Sequence, residues 1–287
     1  MKFLQLLTSL LVFSIFFSFT SVMSSCTKTK TVFDTTTVIK VDTLTIIKHD
    51  TTINKDSIYD LKDGLVAYFS FNNGSLTDSS GYNNNIIVNN ATKTIDRFGN
   101  PNNAYLFDGS SSFMRVKNSP SLNPDNITMF AIVNVSGFYT GPCSENQILL
   151  KGPNYQATGL YGLGFGDANA NCGTPNLNNE TFSASYGDNI PLGSWASAGD
   201  NKPITTGQWY YATYTYDGLT AKLYINGVLK STLQKTAILT DNNNDLYIGK
   251  SEDPTYPYYF KGVIDEIRIY NRALTADAIK YLNNTAN

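Results

Sequence analysis

The chain has 287 residues, of which 41% are apolar and only 15% charged, and its net charge is −2. That length holds one large all-β domain or two ordinary domains, and the charge balance offers no basic surface to nucleic acid. The single histidine, His49, removes Ser-His-Asp triads, Cys-His dyads and histidine-based metal sites unless His49 itself serves. With 21 Gly, 19 Tyr and abundant Asn and Thr, the composition points to turns and strands in an all-β, extracytoplasmic protein.

Residues 3–19, FLQLLTSLLVFSIFFSF, follow Lys2 as an uncharged, largely apolar run, and residues 22–26 read VMSSC. Small residues just before a cysteine resemble the lipobox of bacterial lipoprotein signal peptides. The resemblance implies a signal peptide over 1–25 and a lipidated mature N-terminus at Cys26. The alternatives are a plain secretory signal cleaved nearby and an uncleaved anchor. A diacyl or triacyl group would hold the protein to a membrane more firmly than a single chain. The expected location is the outer membrane, facing the periplasm or the cell surface. Outside the cytoplasm the two remaining cysteines, Cys143 and Cys172, are expected to form a disulfide. Closing their loop would contribute about 3–4 kcal/mol, less any strain.

Residues 26–62 read as a stalk. Asp34, Asp42 and Asp50 recur every eight residues, and Asp56 follows, in a stretch rich in Thr, Val and Ile without Gly or Pro. Fully extended, residues 27–60 would span about 110 Å. DTT, DTL, DTT and DSI resemble the O-glycosylation signal of Bacteroidota-type bacteria, which implies glycans on Thr35, Thr43, Thr51 and Ser57. The alternative is that Asp and Lys simply solubilise a β-prone spacer. His49 lies inside the repeat and reads as a solvated spacer residue.

Residues 63–287 carry strand patterns at 65–71, 104–108, 112–117, 127–137, 209–218, 220–231, 245–250 and 260–272, separated by Asn- and Gly-rich turns. Asp217-Gly218 marks a hairpin, with strands on both sides. One helix is predicted at about 275–283, with Thr275 as N-cap and Asp277 near the helix N-terminus. About twelve to fourteen strands suit one sandwich.

The segments GLVAYFSFNNGSLTDSSGYNNN, AYLFDGSSSFMRV, QWYYATYTYDGLTAKLYINGVL and FKGVIDEIRIYNRALTADAI resemble, in this order, LamG-like concanavalin A-type jelly-roll domains. The resemblance covers about residues 63–283. It implies an antiparallel two-sheet sandwich of six or seven strands per sheet, with one concave sheet often carrying the ligand. Residues 138–204 match least. Cys143, Cys172 and the glycine-rich run 159–166 are expected there in long loops.

Domains of this type often hold structural calcium. The positions carried over are Asp78, in the turn after the first strand, and Asp265 on the last strand. The competing reading has Asp78 closing an Asx turn and Asp265 paired with a Lys or Arg. Asp108 reads as a turn residue. Glycoside hydrolysis on this fold needs two suitably spaced carboxylates. The E-x-D-x-x-E motif of the related glucanases is absent, and the adjacent Asp265 and Glu266 are expected on opposite faces of a strand. Trp195, Tyr186, Tyr256, Tyr258 and Tyr259 are candidates for stacking on sugar rings, whereas Trp209 reads as core.

These readings converge on a membrane-anchored lipoprotein that displays a non-catalytic, glycan-binding LamG-like domain. A protein-binding adhesion or assembly module of the cell envelope and a polysaccharide-cleaving enzyme are the alternatives.

Overall fold

A computed structural model describes residues 32–40, 43–51, 60–152, 160–167, 177–188, 196–240 and 243–286. The signal segment, Cys26, Ser57, Cys172 and Trp195 lie outside the described residues. The chain divides into two units between Asp60 and Leu61.

In the first unit, β1 (Val32–Lys40) and β2 (Thr43–Thr51) pair antiparallel from Val32↔Thr51 to Lys40↔Thr43. The expected single extended stalk is thus corrected over these residues to a hairpin. Two β-prone runs of nine residues, two residues apart in sequence, satisfy each other's backbone groups across one ladder. Thr35 falls opposite Lys48, Thr43 opposite Lys40, and His49 opposite Asp34.

The second unit is an antiparallel two-sheet sandwich. Its strands are β3 (Leu65–Phe69), β4 (Ile86–Asn89), β5 (Thr92–Thr94), β6 (Ala104–Asp108), β7 (Met114–Val116), β8 (Ile127–Gly137), β9 (Asn146–Lys151) and β10 (Leu160–Asp167). They continue with β11 (Glu180–Gly187), β12 (Ala196–Gly199), β13 (Trp209–Tyr216), β14 (Thr220–Ile225), β15 (Val228–Gln234), β16 (Leu246–Ile248) and β17 (Lys261–Tyr270). One sheet has the order β12-β11-β10-β9-β16-β7-β4. The other runs β15-β14-β13-β8-β17-β6-β5, with β3 also paired to β17.

Alternation decides what each strand buries. Met129, Ala131, Val133 and Val135 of β8 face inward, where they join Tyr161, Leu163 and Phe165 of β10 in one core. The predicted loops of 138–204 contain four strands, β9 to β12. Glycine disguised them: in β10 every second residue from Gly162 to Gly166 is Gly, while the inward partners are large. A Cβ on Gly164 would lie 2.2 Å from the Asn146 carbonyl oxygen, and one on Gly162 would lie 2.7 Å from Leu150 Cδ1. Close approach of β9 demands these glycines, so they belong to a strand.

The helix α1 (Ala276–Thr285) begins where predicted, with the Ala278 N–H donating to Thr275 Oγ1 at 3.2 Å. Its buried Ile279 and Leu282 and the outward-facing but fully buried Phe130 and Ile132 of β8 place α1 over the outer face of the eight-stranded sheet. The Leu274 N–H donates to Thr128 Oγ1, which donates to the Arg272 carbonyl, and so fixes the approach to the helix.

The register of β17 against β8 slips between Ile264 and Glu266. Asp265 is the extra residue of a β-bulge, which cancels one step of the alternation. Asp265 and Glu266 therefore line one cavity instead of opposite faces, contrary to the expectation from their adjacency.

Candidate functional site

Pairing registers set one row of residues across six strands of the seven-stranded sheet. Ser197 lies opposite Ser185, Ser185 opposite Gly162, Gly162 opposite Leu150, Leu150 opposite Tyr247, and Tyr247 opposite Arg115. At roughly 4.8 Å per strand the row is about 24 Å long. Its β10 and β11 members alternate with core-facing Tyr161, Leu163, Ala184 and Tyr186, so they face outward. Serines and glycines keep the floor low on the β10–β12 side. A groove of about 160 Å³ runs there, lined by Glu145, Gln147, Gly162, Gly164, Ser183, Ser185, Ser197 and Tyr258 among others.

Aromatic rings stand beside this floor. Lys250 Nζ lies 4.9 Å from the Phe113 ring centroid, 5.5 Å from Tyr247 and 5.6 Å from Tyr259. Burial lowers the pKa of Lys250, and nearby Glu252 opposes that shift. Tyr139 packs edge-on to Tyr258 and Tyr259, and Tyr256 lies 6.0 Å from Tyr258. Tyr258 adopts a left-handed φ of 47°, and its carbonyl accepts from the Gln147 N–H at 2.9 Å. The loop thus spends backbone strain to place tyrosines at the groove. Glu145 is exposed as a residue, yet protein around its carboxyl raises the pKa, while a hydrogen bond with Gln147 pulls it down.

Of the predicted stacking residues, Tyr256 and Tyr259 are half-buried in this loop, and Tyr258 is nearly buried but lines the groove. Tyr186 is corrected to core. The alternation of β11 turns it inward, where it stacks on Tyr216 at 4.6 Å and donates to the Pro124 and Asp125 carbonyls. Trp209, expected in the core, is half-buried at the start of β13. Tyr247, Phe113, Lys250 and the Ser/Gly floor were not anticipated. Tyr247 was within reach of the sequence, because Leu246 and Ile248 on either side are apolar and claim the inward face.

The carried-over calcium pair does not fit a metal. Asp78 Oδ1 accepts from the Tyr68 and Ser80 N–H groups, and Oδ2 from the Asn84 N–H and Ser80 Oγ, all within 2.7–2.9 Å. Asp265 Oδ2 accepts from Arg97 Nη1 at 2.6 Å and from the Arg97 N–H at 3.1 Å. Each carboxylate is engaged by a separate set of protein donors. Among the described residues no group of three or more His, Cys, Asp or Glu could hold a metal ion. Asp108 closes its turn by accepting from the Ser110, Ser111 and Ser112 N–H groups.

Two stacked antiparallel sheets, with a low-floored, tyrosine-edged groove on one outer face, define a lectin-type jelly-roll sandwich. The chain belongs to the concanavalin A-like lectin/glucanases superfamily, whose sequence profile matches residues 107–280. Among solved structures it is similar to domain 4 of AbnA, an extracellular GH43 arabinanase of Geobacillus stearothermophilus, determined in complex with arabinotriose. The identity is 22% and the TM-score 0.57, over 76% of this chain and 98% of that one. It is also similar to the binding domain of Paraclostridial Mosquitocidal Protein 1 (17% identity, TM-score 0.59) and to the receptor-binding domain of botulinum neurotoxin type G (17%, 0.56). These matches cover 79% and 78% of this chain but about half of each toxin chain, 53% and 52%. No curated protein sequence matches the chain significantly.

Proposed function

We propose that this domain binds a glycan, without cleaving it, along the outer face of the seven-stranded sheet. The observation that carries this reading is the row from Ser197 to Arg115, a floor without bulky side chains at one end and with Tyr247 toward the other. Flat rings take the apolar faces of sugars, while Ser, Gln and Glu side chains bond hydroxyls. Among the described lining residues of the groove there is one carboxylate, Glu145, where hydrolysis calls for two.

The same proposal has the domain displayed on an outer-membrane lipoprotein, acylated at Cys26. Support comes from the apolar run and VMSSC at the start of the chain. Glycans on Thr35, Thr43, Thr51 and Ser57 and a Cys143–Cys172 bridge complete it. The bridge draws support from Cys143 and Cys172 being the two cysteines that remain once Cys26 is acylated. A protein-binding module is the second reading. It is favoured by edge strand β15, which leaves Val228, Leu229 and Leu233 exposed.

The test is calorimetric titration of the full chain with linear oligosaccharides, arabinotriose included, alongside an assay for new reducing ends. We expect saturable binding, no cleavage, and loss of binding in Ser183→Trp, which fills the groove. Cleavage overturns the non-catalytic reading, and binding that survives Ser183→Trp overturns the groove.

A further inference from the structure

The bulge at Asp265 opens onto a second cavity, on the outer side of the other sheet. It has a volume of about 280 Å³. Tyr68, Glu266 and Arg268 line it from the sheet, Asn72 and Phe98 from the loops, and Ala286 from the end of the helix. We infer that this cavity is a second ligand site, specific for a single neutral sugar ring, and that it acts independently of the groove.

Charge decides the class of ligand. The lining holds three carboxylates against two guanidiniums, an excess of one negative charge. Both guanidiniums are already engaged. Arg97 donates to Asp265 and to the Ala286 carbonyl, and Arg268 Nε donates to Glu266 Oε1 at 2.6 Å. An anionic ligand would have to break one of these pairs, whereas a neutral polyol need not. Asp96 is likewise saturated, by the Phe98 and Asn100 N–H groups and the Asn100 and Asn103 amides. The framework is therefore rigid before any ligand arrives.

What remains open suits a sugar. The side chains of Asn72 and Ser70 make no hydrogen bond within the described residues, and each can both donate and accept, as a sugar hydroxyl requires. Phe98 is 58% exposed, with the Arg97 guanidinium 4.4 Å from its ring centroid. An exposed ring held against a fixed cation presents an apolar surface for the C–H face of a pyranose or furanose. Ser70, Asn72 and Phe98 are the open groups of the lining, enough to hold one ring and too few to follow a chain.

Saturation-transfer NMR on the full chain tests this, with methyl glycosides of glucose, galactose, N-acetylglucosamine and arabinose as probes and methyl glucuronide as the charged control. The groove is closed throughout by Ser183→Trp, so failure of the groove reading leaves this result intact. We expect at least one neutral glycoside to give a saturable signal, weakened about five-fold or more by Phe98→Ala and by Asn72→Ala. Phe98→Leu keeps the apolar bulk and loses the ring face, and it should weaken binding likewise with an unshifted melting curve. The inference is overturned if no neutral glycoside binds saturably, if binding survives these substitutions, or if the glucuronide is preferred.

Discussion

Arg97 Nη1 donates to Asp265 Oδ2 at 2.6 Å across 168 residues of sequence. Burial raises the pKa of Asp265, and the hydrogen bonds and charge of Arg97 oppose that shift. The protein thus supplies its own counter-ion where a metal was expected. Neither calcium nor a chelator should move the melting temperature of the full chain, and a fall on chelation would reinstate a metal. Arg97→Met should cost about 3 kcal/mol in urea denaturation, because it strands a buried carboxylate. Adding Asp265→Leu should recover part of that loss.

Asp78 ties the first strand to the turn that follows it through four hydrogen bonds. Bonds to a charged acceptor are among the stronger ones, and Asp78→Ala should destabilise the fold by about 3 kcal/mol. Hydrogen exchange should accelerate first at the amides of Tyr68, Ser80 and Asn84.

The rings of Tyr247 and Tyr259 should each contribute about 1 kcal/mol to glycan binding. Tyr247→Ala and Tyr259→Ala would then raise Kd about five-fold apiece. Tyr186→Phe, in the core, should leave Kd unchanged while lowering stability. Titration calorimetry and thermal melting separate the two effects.

Asp96 and Asp108 should dominate the acid response. In both, burial opposes the charge but hydrogen bonds outweigh it: from Asn100, Phe98 and Asn103 at Asp96, and from Ser111, Ser112 and Ser110 at Asp108. Both carboxyls titrate below the ordinary aspartate value of 3.8. The folded state therefore binds these protons less tightly than the unfolded chain does. Their stabilisation is complete above that value and is lost as pH falls through the depressed pKa values. The urea midpoint should drop below about pH 4. Asp96→Asn with Asp108→Asn should flatten the profile while lowering its plateau.

Gly164→Ala should cost about 1–3 kcal/mol, since the added Cβ meets the Asn146 carbonyl oxygen. Gly207→Ala meets nothing within 4 Å. Its φ of +81° makes it a control for backbone strain without crowding.

Alternation and β-branching made β3, β6, β8, β13 and β17 legible, and Thr275 announced α1. Gly162, Gly164 and Gly166 hid β10, because a strand whose outward residues lack side chains reads as a loop. The bulge at Asp265 showed in the sequence only as a spacing of three between the core residues Ile264 and Ile267, where strict alternation has two. It depends on how β17 meets β8, and register is a property of pairs of strands rather than of one. Tyr186 misled for a related reason. Ser185 and Gly187 beside it read as turn residues, which hid the strand β11 whose alternation turns the ring inward. The tyrosines of 256–259 were identified from their density around two prolines, while their partner Tyr247 sat unremarked in a regular strand.

The row from Ser197 to Arg115 draws one residue from each of six strands. A slip of one position in any of them would swap a floor residue for a core residue and erase the row. No subset of these strands carries the surface alone. If the proposed groove binds glycan, binding would therefore report on folding: a preparation that retains its β-sheet signal but has lost the native register would bind no sugar.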